Sequence, residues 1–147
     1  MDKNGILIAL SESDKTAFGK QDFVTQSEPQ KVFSAIWALE SEVNNGGFTQ
    51  YFENLSCESA GFVTRALELV GAPKTAEICK RAIACAFPEG LPSEPHAISA
   101  AAGEFSQGTK DSLYALDEEF YSYPHDLTEL LFAFVVEHPE EFGSVAE

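Results

Sequence analysis

Residues 27–54 read SEPQKVFSAIWALESEVNNGGFTQYFEN, and the fold turns on how this stretch is understood. Ser27 followed three residues later by Gln30 has the pattern of a capping box, with Pro29 in the first turn where a missing amide costs nothing. Val32, Ile36, Leu39 and Val43 then fall on one helical stripe, flanked by Phe33 and Trp37. The run Asn44-Asn45-Gly46-Gly47 interrupts it with residues that tolerate the left-handed conformation in which helices end. Phe48, Tyr51 and Phe52 resume the i, i+3, i+4 pattern, and Asn54 is a natural terminator. The spacing predicts two helices joined at a corner. Gly46 or Gly47 should have positive φ, and the three aromatic rings should turn inward.

Downstream, the helical reading continues. Glu58–Val70 predicts a helix with Phe62, Val63, Ala66, Leu67 and Val70 inward. Gly71 closes it and Pro73 opens the next, a tight helical hairpin whose second arm buries Ala76, Cys79, Ala82, Ile83 and Ala86. Three prolines and a glycine make residues 87–95 a loop. His96–Phe105 is a short alanine-rich helix. Thr109 caps a helix reaching Ser122, with Leu113, Leu116 and Phe120 inward. Asp126 and Glu129 cap a closing helix, LTELLFAFVVEH, which is apolar on nearly every side and so belongs at the centre. Ile6–Leu10 is too short to read as strand or helical turn, and nothing after it alternates at period two. The expectation is all-α: a bundle of about six to eight helices around a central apolar C-terminal helix. At 147 residues the chain should form one domain, with residues 1–25 hard to read and residues 26–143 helical.

The charge is unusual. Aspartate and glutamate number 24 against 9 lysines and arginines, a formal net charge of −15. Such a surface repels nucleic acid and anionic membranes and attracts basic partners, although solubility alone also uses acids. The imbalance is local. Residues 111–147 hold ten acids and no lysine or arginine, whereas Arg65, Lys74, Lys80 and Arg81 gather in the middle hairpin. Helical geometry places Asp111 and Glu118 opposite the Leu113/Leu116/Phe120 stripe, with Glu119 on its flank. Asp126, Glu137, Glu140 and Glu141 continue the acidic run. Asp117 falls instead near the core boundary, where a carboxylate needs donors such as helix-end amides or a tyrosine hydroxyl.

Chemistry is harder to find. His96, His125 and His138 have no ligand-type spacing with one another or with Cys57, Cys79 and Cys85, so neither zinc nor haem is expected, and no cofactor. The phosphate-loop, dinucleotide and nucleophile-elbow patterns are missing from the sequence. The three cysteines suit reduced, mostly buried thiols in the cytosol. The short apolar run after Asp2 and Lys3 does not read as a secretory signal, and Leu130–Val136 is far below the roughly 20 residues that span a bilayer. Glu40 and Glu42 approach the Asn-Asn-Gly-Gly corner and Gln50 follows it. They could line a polar site, or the corner is structural, its asparagines satisfying free backbone groups.

The corner residues Glu42, Asn45, Gly46, Gly47, Phe48, Gln50, Tyr51, Phe52 and Asn54 also resemble the signature of the DNA-mimic-protein family of small acidic helical bacterial proteins. The segment LDEEFYSYPHDLTELLFAFVVEHPEEF, residues 116–142, is similar to the family's later part, and the resemblance covers about residues 25–143. It implies an α-helical fold, often a homodimer, without known catalysis. In mimic members, surface carboxylates imitate phosphates and occupy a DNA-binding protein. Acids one helical turn apart lie about 5–6 Å from each other, so a row of them can stand in for a phosphate backbone. The leading expectation is therefore a cytoplasmic binding protein for a basic DNA-binding protein such as a transcription factor, with no direct contact to nucleic acid or membrane. Its contacts would be Asp111, Glu118, Glu119, Asp126, Glu137, Glu140 and Glu141. The alternatives are an immunity or antitoxin-like protein for a basic toxin, an enzyme built on Glu42, Asn45 and Gln50, and an acidic surface that serves only solvation.

Overall fold

The computed structural model describes residues 2–13 and 22–142, with the side chains of residues 55 and 56 left aside. Residues 14–21 of the hard-to-read N-terminal segment, and the expected boundary at residue 143, lie outside the described residues. Among the described residues the helices are α1 (Lys3–Ser11), α2 (Glu28–Glu53), α3 (Val63–Leu69), α4 (Pro73–Ala86), α5 (Pro95–Ala102), α6 (Gln107–Tyr121), α7 (Leu127–Val136) and α8 (Pro139–Phe142). Short 3-10 turns lie at Phe23–Thr25 and Leu55–Ser59. The fold is all-helical, and the ambiguous Ile6–Leu10 run is helix. Asp2 caps it, its carboxylate accepting the Gly5 amide at 2.7 Å.

α2 is the axis of the fold. Helices α3, α5, α6, α7 and α8 and both 3-10 turns pack on it, while α4 bridges α3 and α6, and α1 covers α7. The sequence explains this. Val32, Phe33, Ser34, Ala35 and Ile36 are five consecutive buried residues, more than one full turn, so this part of α2 is wrapped on all sides. Each large apolar side chain so buried contributes about 1.5–3 kcal/mol. The start of α2 is the expected capping box. The Gln30 amide donates to Ser27 Oγ at 3.4 Å and the Ser27 amide to Gln30 Oε1 at 3.1 Å. The second half of α2 brings Phe48 and Phe52 into an aromatic cluster with Phe87, Phe105 and Phe120, mostly edge-to-face.

The α3–α4 hairpin also forms as expected. Gly71 has φ 89, the Ala72 amide donates to Leu67 O at 2.8 Å, and the Gly71 amide donates to Glu68 O at 3.1 Å. This is a Schellman stop, for which a residue of positive φ is required.

Three expectations change. The helix expected over 58–70 is split into the 55–59 turn and α3, because the Ser59 hydroxyl is tied to the buried Tyr51 hydroxyl at 2.8 Å and holds that turn on α2. The cap of α6 is Ser106 and not Thr109. Thr109 supplies the amide, which donates to Ser106 Oγ at 3.1 Å. Finally, α7 is not covered on every side within one chain. Leu127, Leu131 and Val135 form its buried stripe and Leu130 and Phe134 are half-buried, but Val136 is exposed. The longer α2, surrounded on all sides over residues 32–36, takes the central place. The Asp126 cap does form, accepting the Glu129 amide at 3.1 Å, but the Glu129 carboxylate pairs with Lys3 of α1 at 2.6 Å.

Candidate functional site

The corner is a kink inside α2. Gly46 has φ −158 and ψ 15, and Gly47 has φ 80 and ψ −179. The Gly47 conformation belongs to a region essentially reserved for glycine. A side chain there would also run into the Asp117 carboxylate. Regular helix geometry would pair Val43 O with amide 47 and Asn44 O with amide 48. At the kink, partners come from α6 instead. The Tyr121 hydroxyl donates to Val43 O at 2.8 Å, and Asp117 Oδ1 accepts the Phe48 amide at 2.8 Å. Tyr123, just past α6 with φ 48, donates to Glu40 Oε2 at 2.7 Å and accepts from Asn44 Nδ2 at 2.7 Å. The Asn-Gly-Gly-Phe corner and the Leu-Asp-x-x-Phe-Tyr segment are thus two halves of one lock.

Glu42 braces the kink from the other side. Its Oε1 accepts from Gln50 Nε2 at 2.7 Å and from Asn54 Nδ2 at 2.8 Å, linking the last turn before the bend to the two turns after it. Phe48, Tyr51 and Phe52 are buried as expected. The asparagines do not serve the backbone as expected. Asn44 and Asn54 bind side chains, and Asn45 is exposed and outside these bonds. Glu42 and Gln50, candidates for a polar site, are engaged in this bracing.

Burial raises the pKa of Asp117 above the usual aspartate range. The Phe48 amide offsets this in part, and Glu118 adds to it. Glu40 is likewise raised, first by burial and then by Asp126, with the Tyr123 hydroxyl acting in the opposite direction. That hydroxyl is itself pushed up to about 12, mainly by burial.

The acids expected to meet a partner fall into two groups. On α6, Asp111 and Glu118 are exposed on the outer face, and Tyr114 between them is 58% exposed. Asp111 accepts from Gln107 Nε2 at 2.9 Å. Glu119 is turned toward α4, where Arg81 meets it with two bonds of 3.1 and 2.6 Å, which lower the Glu119 pKa. At the other end, Glu137 and Glu140 are exposed and Glu141 is half-buried, while Asp126 caps α7. α6 packs on α2 and α4, and α7 on α1, α2 and α8, so these groups sit on different neighbours.

Sequence reasoning missed the Arg81–Glu119 pair and the three hydrogen bonds that join Tyr121 and Tyr123 to α2. One signal pointed toward the Tyr121 bond: Asp117 and Tyr121, four residues apart, share a helix face. The histidines act locally. His125 Nε2 accepts the Lys74 amide at the start of α4 at 3.1 Å, and His138 Nδ1 lies 2.7 Å from Phe134 O at the end of α7. Cys57 and Cys79 are buried, and burial raises both thiol pKa values, that of Cys79 to about 12. Among the described residues, no group of three or more His, Cys, Asp and Glu is placed to hold a metal, and no helix is long and apolar enough to cross a membrane.

A family model described as DMP19-like protein matches residues 25–138. Comparison with curated proteins and with solved structures gives no match.

Proposed function

The chain belongs to the DMP19-like protein family, a family of DNA mimics, and from that premise we propose that it occupies the DNA-binding surface of a basic protein. The observation that carries this reading is the outer face of α6. Asp111, Tyr114 and Glu118 lie exposed along one stripe, within a stretch of 37 residues that contains no lysine or arginine. Carboxylates repeated along a helix offer what phosphates offer to Lys and Arg, and an exposed tyrosine supplies apolar contact without loss of polarity. Glu137 and Glu140 extend the negative field from the α7–α8 end. A transcription factor fits this chemistry.

The test is Asp111→Asn combined with Glu118→Gln, which preserves size and removes two charges from exposed positions. A basic DNA-binding partner is isolated by affinity capture, and displacement of labelled duplex from it is measured. The double variant should need at least tenfold more protein than the unaltered chain. The difference should narrow as salt rises, because exposed charges are screened beyond about 8 Å at physiological ionic strength. Equal displacement by both proteins at equal salt would make these acids solvating residues and defeat the reading.

A further inference from the structure

A small cleft of about 210 Å³ opens where α1 and α7 approach the first half of α2. Its walls carry Asn4 and the buried Leu7 from α1, Trp37, Glu40, Ser41 and Asn44 from α2, and Thr128 from α7. We propose that this cleft is a receptor for one guanidinium group, that of an arginine side chain presented by a protein partner. The proposal rests on the reading of the chain as a receptor for a basic protein only in its choice of partner.

The chemistry of the lining selects the ligand. Glu40 supplies a half-buried carboxylate. Its Oε2 accepts from the Tyr123 hydroxyl, and among the described residues no cation pairs with it. Lys3, beside Asn4 in the sequence, is held elsewhere: its Nζ lies 2.6 Å from Glu129 and 5.5 Å from the centre of the Phe132 ring. Asp126, outside the lining, also acts to raise the Glu40 pKa, so a cation bound at Glu40 would relieve like-charge repulsion. Asn44 already donates through Nδ2 to Tyr123, which leaves its carbonyl oxygen as an acceptor. The hydroxyls of Ser41 and Thr128 and the Asn4 amide add further acceptors. Trp37 stacks one ring face on Phe33 at 5.5 Å and lines the cleft with the rest of its surface. A lining that combines one carboxylate, several acceptor-bearing side chains and an indole suits a planar cation with five N–H donors better than a compact ammonium. The volume favours a side chain over a metabolite, since small-molecule sites usually measure roughly 300–1,000 Å³.

Trp37 is the single tryptophan, so its emission reports directly on this wall. The experiment titrates the full chain with Nα-acetyl-arginine amide, with the citrulline and lysine analogues as comparators, and with the peptide Gly-Gly-Arg-Gly-Gly. A saturable change in Trp37 emission is expected with the arginine amide. Binding of citrulline and lysine should be at least tenfold weaker, and the peptide should bind no more weakly than the amide. Glu40→Gln keeps an acceptor for Tyr123 and should reduce affinity at least tenfold with its circular dichroism unchanged. Asn4→Arg, at an exposed rim position, should block the cleft with a guanidinium of its own and abolish the response. Asp111→Asn with Glu118→Gln should leave the response intact, so that failure of the acidic-face reading is seen separately. A missing response to the arginine amide, an equal response to either analogue, or full retention in both Glu40→Gln and Asn4→Arg would overturn the site. A peptide bound tenfold more weakly than the amide would overturn the protein partner.

Discussion

Asp117 and Glu118 are neighbours on α6 and have opposite fates. Asp117 faces α2, half-buried, and accepts the Phe48 amide at the kink. Glu118 points outward and is exposed. The rotation of about 100° between successive residues separates an acid that holds the fold from one that faces solvent. The same contrast holds more widely: around Gly46 and Gly47 polar groups are matched to one another, whereas α6 beyond Lys110 carries Asp111 and Glu118 on its outer face with no lysine or arginine following in the sequence. Internal matching is what a structural device requires. An unneutralised face raises self-repulsion and keeps its charge available to a partner.

The strongest way to break the first half of this contrast is Gly47→Ala. The substitution would force a side chain into a glycine-only conformation and against the Asp117 carboxylate. Strain and crowding together should cost roughly 3 kcal/mol or more. The urea midpoint should fall sharply. A midpoint within error of the unaltered protein would mean that the kink is not a fixed feature.

A smaller loss is expected at the other side of the lock. Asp117→Ala leaves the Phe48 amide without its acceptor, a cost of about 1–3 kcal/mol. Asp117→Asn keeps an acceptor oxygen and isolates the charge. Because burial raises the Asp117 pKa, the native state is favoured when this group is protonated. That contribution is fully present below the ordinary aspartate range and is lost as pH rises through the raised value. The stability of the unaltered protein minus that of Asp117→Asn should therefore increase as pH falls from 7 toward 4. Urea midpoints measured at both pH values check this, and a difference that moves the other way would show that the Phe48 bond outweighs burial.

The glycine run was legible because it is a local statement: two glycines between two amphipathic stretches leave few backbone solutions. The capping box at Ser27 and the Gly71 stop were legible for the same reason. The partners of the kink were not, because Asp117 lies 69 residues and Tyr121 78 residues from the groups they bind. Asp117 could be placed near the core boundary from helical phase alone, but no periodicity identifies the Phe48 amide as its donor. Helix phase likewise put Glu119 on a flank without revealing Arg81, 38 residues away on α4. The position of α7 was misjudged because apolar composition shows that a surface is suited to burial and does not say which neighbour covers it.

Glu118 and Glu119 give the finest test of the contrast. Both are exposed, but Glu119 is already held by Arg81, so its charge is partly neutralised within the chain. Glu119→Gln should lower the melting temperature slightly, and the effect should vanish in high salt, as expected for an exposed pair. It should barely alter displacement of DNA from the partner. Glu118→Gln should do the reverse, leaving melting unchanged and weakening displacement. Arg81→Gln completes the set. It releases Glu119 and makes the chain one charge more negative, so association with a basic partner should become faster, because steering responds to the summed field. Equal losses of displacement from Glu118→Gln and Glu119→Gln would show that the Arg81 pair opens on binding and that the division between matched and open acids does not run between these two residues.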